Sequence, residues 1–210
     1  MRDRAARIAI VEDHAALRRG LELLLDRHGY EVVAAAGEAA EAYEEILRVE
    51  PDVALIDIAL PGENGVRLTR RLLTANGDLA VLLYTAMRDE ELVHHALDSG
   101  ARGIASKAGP TGELLEAIQT VAAGGAYLDA RLRPPPANGS SSRARGLLSP
   151  REREVLDLLG HGLTGEDISQ RLHLSPETVR THVRNAMDKL GAHTRVHAIT
   201  LALQRGEISL

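Results

Sequence analysis

Pro51-Asp52-Val53-Ala54-Leu55-Ile56-Asp57-Ile58-Ala59-Leu60-Pro61-Gly62 carries the clearest structural signal in the chain. A short apolar run, Val53 to Ile56, ends in a carboxylate, and a Pro-Gly pair follows. That pattern is a buried strand of a parallel sheet, stopped by a turn. Open α/β sheets bind their ligands at the carboxyl ends of such strands, which is where Asp57 stands. An acid there more often just caps the next turn, so the company Asp57 keeps must decide.

Working outward, the same strand-then-helix unit recurs on both sides. Residues 7–12 form an apolar run ending in Glu12-Asp13, followed by a helical pattern with Leu17, Leu21, Leu24 and Leu25 on one face. Residues 31–36 read as a second strand and 38–49 as a second helix; 65–75 is the helix after Asp57. A fourth strand, 79–84, ends at Thr85 and precedes a helix over 88–99. A short fifth strand, 103–106, ends at Lys107, and a last helix covers 112–123. Five such alternations predict an α/β domain: a five-stranded, doubly wound parallel sheet with helices on both faces. Asp13, Asp57, Thr85 and Lys107 then all fall at strand tips along one edge.

Those residue types suit one chemistry. Crowded carboxylates repel, and a hard divalent cation with oxygen ligands relieves the repulsion; Mg²⁺ is the natural choice. Asp57 is then free to attack a phosphoryl group, while the Thr85 hydroxyl and the Lys107 ammonium hold its oxygens. Lysine is scarce here, at positions 107 and 189 only, so one at a predicted site carries weight.

Val11-Glu12-Asp13-His14, Asp57-Ile-Ala-Leu-Pro61-Gly62, Thr85-Ala86 and Gly103-Ile-Ala-Ser-Lys107 resemble the receiver domain of two-component response regulators, over roughly residues 6–128. The resemblance implies a flavodoxin-like fold with Asp57 as phospho-acceptor. It also implies Glu12 and Asp13 as an acidic metal pocket, Asp57 itself and the Ala59 carbonyl as further Mg²⁺ ligands, and Thr85 and Lys107 as sensors of the phosphoryl group. One switch position departs from the pattern: receivers usually carry Tyr or Phe three residues before the lysine, and here Ile104 has no ring to swing. Tyr84 is near in sequence, but its side chain should face away from that of Thr85. A haloacid-dehalogenase-type hydrolase would need a second acid two residues after the nucleophile; Ala59 stands there, so the chain is not expected to be an enzyme beyond its own phosphoryl transfer and slow dephosphorylation.

Composition adds bounds. The 210 residues hold no cysteine, which excludes disulfide and thiolate chemistry, and no run approaches a membrane span; a cytoplasmic protein is expected. Residues 1–130 carry 13 basic and 22 acidic side chains. Residues 131–146 hold four arginines, three prolines and an Asn-Gly-Ser-Ser-Ser run, the composition of a linker. Its arginines can touch DNA phosphate or the acidic first domain, but a solvated tether is the plainer reading. The boundaries are therefore 1–130, 131–146 and 147–210.

In the last segment, Ser149-Pro150-Arg-Glu152 is a capped helix start, Thr164 caps a second helix, Ser175-Pro176-Glu177 starts a third that stops at Gly191, and Thr194 caps a fourth. Four short helices with tight connections predict an all-α unit containing a helix-turn-helix. The third helix buries Val179, Val183, Ala186, Met187 and Leu190. Its other face presents Arg180, Thr181 and Arg184 together, positioned for base edges in a major groove. Thr178, Lys189, Thr194 and Arg195 suit phosphate. Residues 175–205 carry five basic and two acidic side chains, so the positive field is concentrated there.

Leu148-Ser-Pro-Arg-Glu-Arg-Glu-Val-Leu156, residues 168–183 and Lys189-Leu-Gly191 resemble the LuxR-type DNA-binding domain. Glu166 departs from the lysine or neutral residue often found there. Together the halves resemble the NarL/FixJ class. That implies a sensor histidine kinase and promoter DNA as partners, RNA polymerase as a further candidate, and no membrane. A homodimer is implied in the active state, the fourth helix supplying a second buried face. The alternative, motivated by Ile104, is a DNA-binding regulator that works without phosphorylation.

Overall fold

The computed structural model describes residues 5–86, 95–133 and 147–210. The first half is a parallel sheet of strands β1 (Arg7–Val11), β2 (Glu31–Ala36), β3 (Val53–Asp57), β4 (Ala80–Thr85), β5 (Gly103–Ser106) and β6 (Tyr127–Leu128), in the order β2-β1-β3-β4-β5-β6. Helices α1 (Ala15–Arg27), α2 (Ala39–Val49), α3 (Gly65–Ala75) and α4 (Thr111–Ala122) cover it. The helix expected over 88–99 falls largely on 87–94, outside the described residues, as does most of the expected linker, 134–146.

Six strands replace the five expected. Tyr127 and Leu128 pair in parallel with Gly103 and Ile104, so the chain after α4 adds a strand at the β5 edge. Two residues are too few to show the alternation that marks a strand in sequence. The 3₁₀ turn Ala130–Leu132 follows at once, with Leu132 buried, so packed structure runs past residue 130.

The central strands are buried along their whole length, as their unbroken apolar runs require. Alternate residues feed two layers. Ile8, Ile10, Val53, Leu55, Leu82 and Tyr84 pack with α1 and α4, whereas Ala9, Val11, Ala54, Ile56, Leu83 and Ile104 pack toward α2 and α3. Parallel register brings Val11 beside Ile56 and Asp57 beside Tyr84, which puts the tips of β1, β3 and β4 level with one another.

Two glycines fix the Asp57 tip. Gly62 turns the chain at φ +75°, a conformation that costs glycine little. Gly65 opens α3 directly on β3: a Cβ there would lie 2.0 Å from the Asp57 carbonyl oxygen, so only hydrogen fits.

The second half comprises α5 (Pro150–Gly160), α6 (Gly165–Leu172), α7 (Pro176–Leu190) and α8 (Arg195–Gln204). Ser149 and Glu152 form a reciprocal capping box on α5, as do Thr164 and Asp167 on α6. Ser175 and Thr194 cap α7 and α8, and Gly191 ends α7 at φ 71°. The bonds from Thr164 lower the Asp167 pKa. α8 is buried nearly all round: Val196, His197, Ala198, Ile199, Thr200 and Ala202 are all covered.

Candidate functional site

The tips of β1, β3, β4 and β5 meet along one edge of the sheet. Glu12, at the end of β1, is 1 % exposed and Asp57 4 %. The Lys107 ammonium, arriving from the end of β5, donates to Glu12 Oε2 at 2.7 Å and to Asp57 Oδ2 at 2.8 Å. Burial by itself would lower the Lys107 pKa, but its bonds to Asp57 and Glu12 outweigh this and raise it. Thr85 is buried at the tip of β4, and its carbonyl accepts the Lys107 backbone N–H at 2.7 Å. The Ala59 N–H donates to the other Asp57 oxygen, Oδ1, at 3.0 Å. Asp57 is thus fixed from both sides.

Asp13 is exposed beside this cluster. Glu12, Asp13 and His14 place one ligand atom each within 4.8 Å of one another. The two carboxylates are oxygen donors of the kind Mg²⁺ takes, whereas the imidazole suits softer metals, so Glu12 and Asp13 are the members that fit, with Glu12 shared between cation and lysine. Asp57 is not in that group, and His14 is a member that sequence reasoning missed; its only signal was adjacency to Asp13 ahead of α1. Tyr84 points into the α1–α4 layer, and the Lys107 ammonium stands 5.6 Å from its ring centre, within cation–π range. Burial raises the Tyr84 pKa. Ile104 is 0 % exposed and simply fills the layer on the other face.

The α7 face divides as its periodicity demands. Val179, Val183, Ala186 and Leu190 are buried, whereas Arg180 and Arg184 are exposed. Arg180 pairs with Glu177 one turn earlier, and the Thr181 hydroxyl donates back to the Glu177 carbonyl at 3.0 Å. Thr178 sits at the start of the helix, its hydroxyl 2.8 Å from that of Ser175.

Three of the residues assigned to phosphate have protein partners in this structure. Lys189 donates to both oxygens of buried Glu152, at 2.9 and 2.7 Å. Burial pushes the Glu152 pKa up, but the bonds from Lys189 and Ser149 more than offset it and leave it lowered. Thr194 and Arg195 meet the first half of the chain: the Thr194 hydroxyl donates to the Leu97 carbonyl at 2.6 Å, and Arg195 Nη1 to that of Gly124 at 3.1 Å. Desolvation there, with the Arg102 and Arg180 charges nearby, lowers the Arg195 pKa. His197 Nδ1 lies 2.5 Å from Asp98 Oδ1 across the same junction. Part of the second buried face of α8 is therefore supplied by the same chain.

Comparison with known proteins bears on both halves. Residues 8–119 match the response regulator receiver domain, and residues 146–202 match the bacterial regulatory proteins of the luxR family. The oxygen regulatory protein NreC of Staphylococcus epidermidis is 34 % identical over 95 % of this chain and 97 % of its own length. The chain belongs to the NarL/FixJ family of two-component response regulators. This is a family of DNA-binding transcription factors, not of classical enzymes. The crystal structure of ChrA, a response regulator of a heme-sensing two-component system, is similar to this response regulator over 97 % of the chain, at 31 % identity and a TM-score of 0.53. A LuxR-family regulator from Aurantimonas sp. SI85-9A1 is 33 % identical over 61 % of the chain, with a TM-score of 0.59. No helix among the described residues is long and apolar enough to cross a membrane.

Proposed function

We propose that this response regulator accepts a phosphoryl group on Asp57 from a sensor histidine kinase and then binds promoter DNA as a dimer. The observation that carries the reading is the single ammonium of Lys107 held between Glu12 and Asp57, two buried carboxylates from different strands. A buried ion cluster of this kind is a costly way to hold a fold together, and apolar residues of similar volume would do so as well. Its use is better explained by chemistry at Asp57.

Glu12, Asp13 and Asp57 would hold Mg²⁺, with the Ala59 carbonyl as a further oxygen ligand, and a cation bound there would neutralise charge on the phosphoryl oxygens. Asp57 is oriented by the Ala59 N–H on one oxygen and by Lys107 on the other, so its carboxylate is presented for attack in one pose. Once the phosphoryl group is in place, Lys107 can follow its oxygens, and the Thr85 hydroxyl adds a second donor.

The resting protein would be closed. Thr194 and Arg195, assigned to DNA phosphate, are engaged by the receiver carbonyls of Leu97 and Gly124, and α8, the expected dimer surface, is covered in part by the same contact. Phosphorylation would free both. Arg180, Thr181 and Arg184 would then read bases, with Thr178 and the released Thr194 and Arg195 on phosphate. Lys189 would act first by bracing the α5–α7 packing through Glu152, and only its outer side would reach the backbone. RNA polymerase is a further proposed partner of the promoter-bound dimer, and the cytoplasm its proposed location.

The second reading, DNA binding without phospho-control, rests on Ile104, a fully buried aliphatic at the position of the usual aromatic switch. One experiment separates them: phosphoryl uptake from acetyl phosphate, then DNA affinity with and without it, in the wild type and in Asp57→Ala. Uptake that Asp57→Ala abolishes, together with a lost gain in DNA affinity, supports phospho-control. Equal DNA binding under all conditions supports the second reading.

A further inference from the structure

The buried carboxylate of Asp129 is used by none of the chemistry above. It is 2 % exposed and sits between the receiver and the start of the linker. One oxygen, Oδ2, accepts the backbone N–H of Ser106 at 3.1 Å; Ser106 is the last residue of β5 and the neighbour of Lys107. The other, Oδ1, accepts the Arg131 backbone N–H at 2.8 Å and its guanidinium at 3.1 Å. That guanidinium also grips Glu113 of α4 with both nitrogens, at 2.5 and 3.2 Å. The Asp129 N–H donates in turn to the Ile104 carbonyl at 3.0 Å.

Capping alone does not account for this. Asp129 caps the 3₁₀ turn Ala130–Leu132, a task that needs one oxygen. The second oxygen reaches another strand, at the peptide between Ala105 and Ser106, one residue before Lys107. A charge buried this deeply is kept only where its bonds are complete, so movement of one partner is felt by the rest. A swinging ring is ruled out at Ile104, whereas the backbone route from Lys107 through Ser106 to Asp129 is short and rigid.

We propose that Asp129, braced by Arg131, is the positioning residue that couples the Lys107 tip of β5 to the linker. When Lys107 shifts toward a phosphoryl group, the Ser106 N–H moves with it, and the clamp passes that motion to the chain leading into the second domain. The inference rests on the phospho-acceptor role of Asp57.

The test uses the full chain with acetyl phosphate and Mg²⁺, comparing the wild type with Asp129→Asn and Arg131→Gln. Phosphoryl uptake is read by intact mass, and affinity by fluorescence anisotropy on a mixed-sequence duplex of about 30 base pairs at low salt, which reports phosphate contacts. Both variants should take up the phosphoryl group as the wild type does. The ratio of duplex affinity with and without it should fall at least about threefold, toward one. Arg131 is part-exposed, so Arg131→Gln decides the matter even where Asp129→Asn fails to fold.

A wild-type ratio preserved in the variants would overturn the coupling while leaving the role of Asp57 intact. Lost uptake in Arg131→Gln would overturn it too, because the residue would then act on the pocket and not on the linker. A wild type that takes up no phosphoryl group overturns both this inference and the reading beneath it.

Discussion

Lys107→Met removes the cation from between two buried carboxylates and leaves the methylene stem nearly intact. Both carboxylates touch the same ammonium, so their oxygens lie no more than about 5.5 Å apart. At an effective dielectric constant of about 20, two charges at that distance repel by about 3 kcal/mol. Breaking a buried ion pair by deleting one partner costs about 3–5 kcal/mol, so the two routes agree. Protonating either carboxylate removes that repulsion, so the folded variant gains more from a proton than the unfolded chain does. The folded state binds the extra proton, so stability falls as pH rises from about 4 toward neutrality. Urea unfolding of the full chain, followed by far-UV circular dichroism at about pH 5 and about pH 8, should show the loss at pH 8 and most of it recovered at pH 5. Millimolar Mg²⁺ should restore part of it at pH 8, since a cation at Glu12 and Asp13 replaces some of the missing charge. A loss below about 1 kcal/mol at pH 8, or one that does not shrink on acidification, would show that Lys107 does not hold two charged carboxylates together.

Gly65→Ala should disable Asp57 without touching its side chain, because the new methyl meets the Asp57 carbonyl at 2.0 Å; full phosphoryl uptake in this variant would contradict that placement. Glu152→Gln should cost about 1–3 kcal/mol at neutral pH through the loss of Lys189 and the cap. The lowered Glu152 pKa means that this stabilisation is present above the usual carboxylate pKa and lost as pH falls through the folded one, so the wild type and variant should converge in acid. Asp98→Ala removes a partner of His197 at the domain junction; about 1 kcal/mol of lost docking should raise DNA affinity of the unphosphorylated protein about fivefold, and an unchanged affinity would argue against closure. Arg180→Ala or Arg184→Ala should each cost about 1–3 kcal/mol at a specific site, and a footprint unaltered in both would remove these residues from the reading surface.

Much of this fold is written in short-range chemistry. Apolar runs of four to six residues made β1, β3 and β4 legible, Ser149 with Glu152 marked the start of α5, and Pro61-Gly62 the turn after Asp57. Each signal lies within a few residues of the structure it specifies, so position along the chain is enough to read it. Strand polarity then put Asp57, Thr85 and Lys107 at one edge before any tertiary contact was known. Which of these groups touch is set by packing across the sheet. Lys107 is 95 residues from Glu12, and its choice of both carboxylates depends on the parallel register of four strands. The same holds for β6, whose two residues become a strand only because the β5 edge is free to pair. The protein partners of Lys189, Thr194 and Arg195 could not be read from the sequence, because a cation or hydroxyl looks the same there whatever it meets. Glu152 and the carbonyls of Leu97 and Gly124 reached them through packing between helices and domains, which leaves no local periodicity to read.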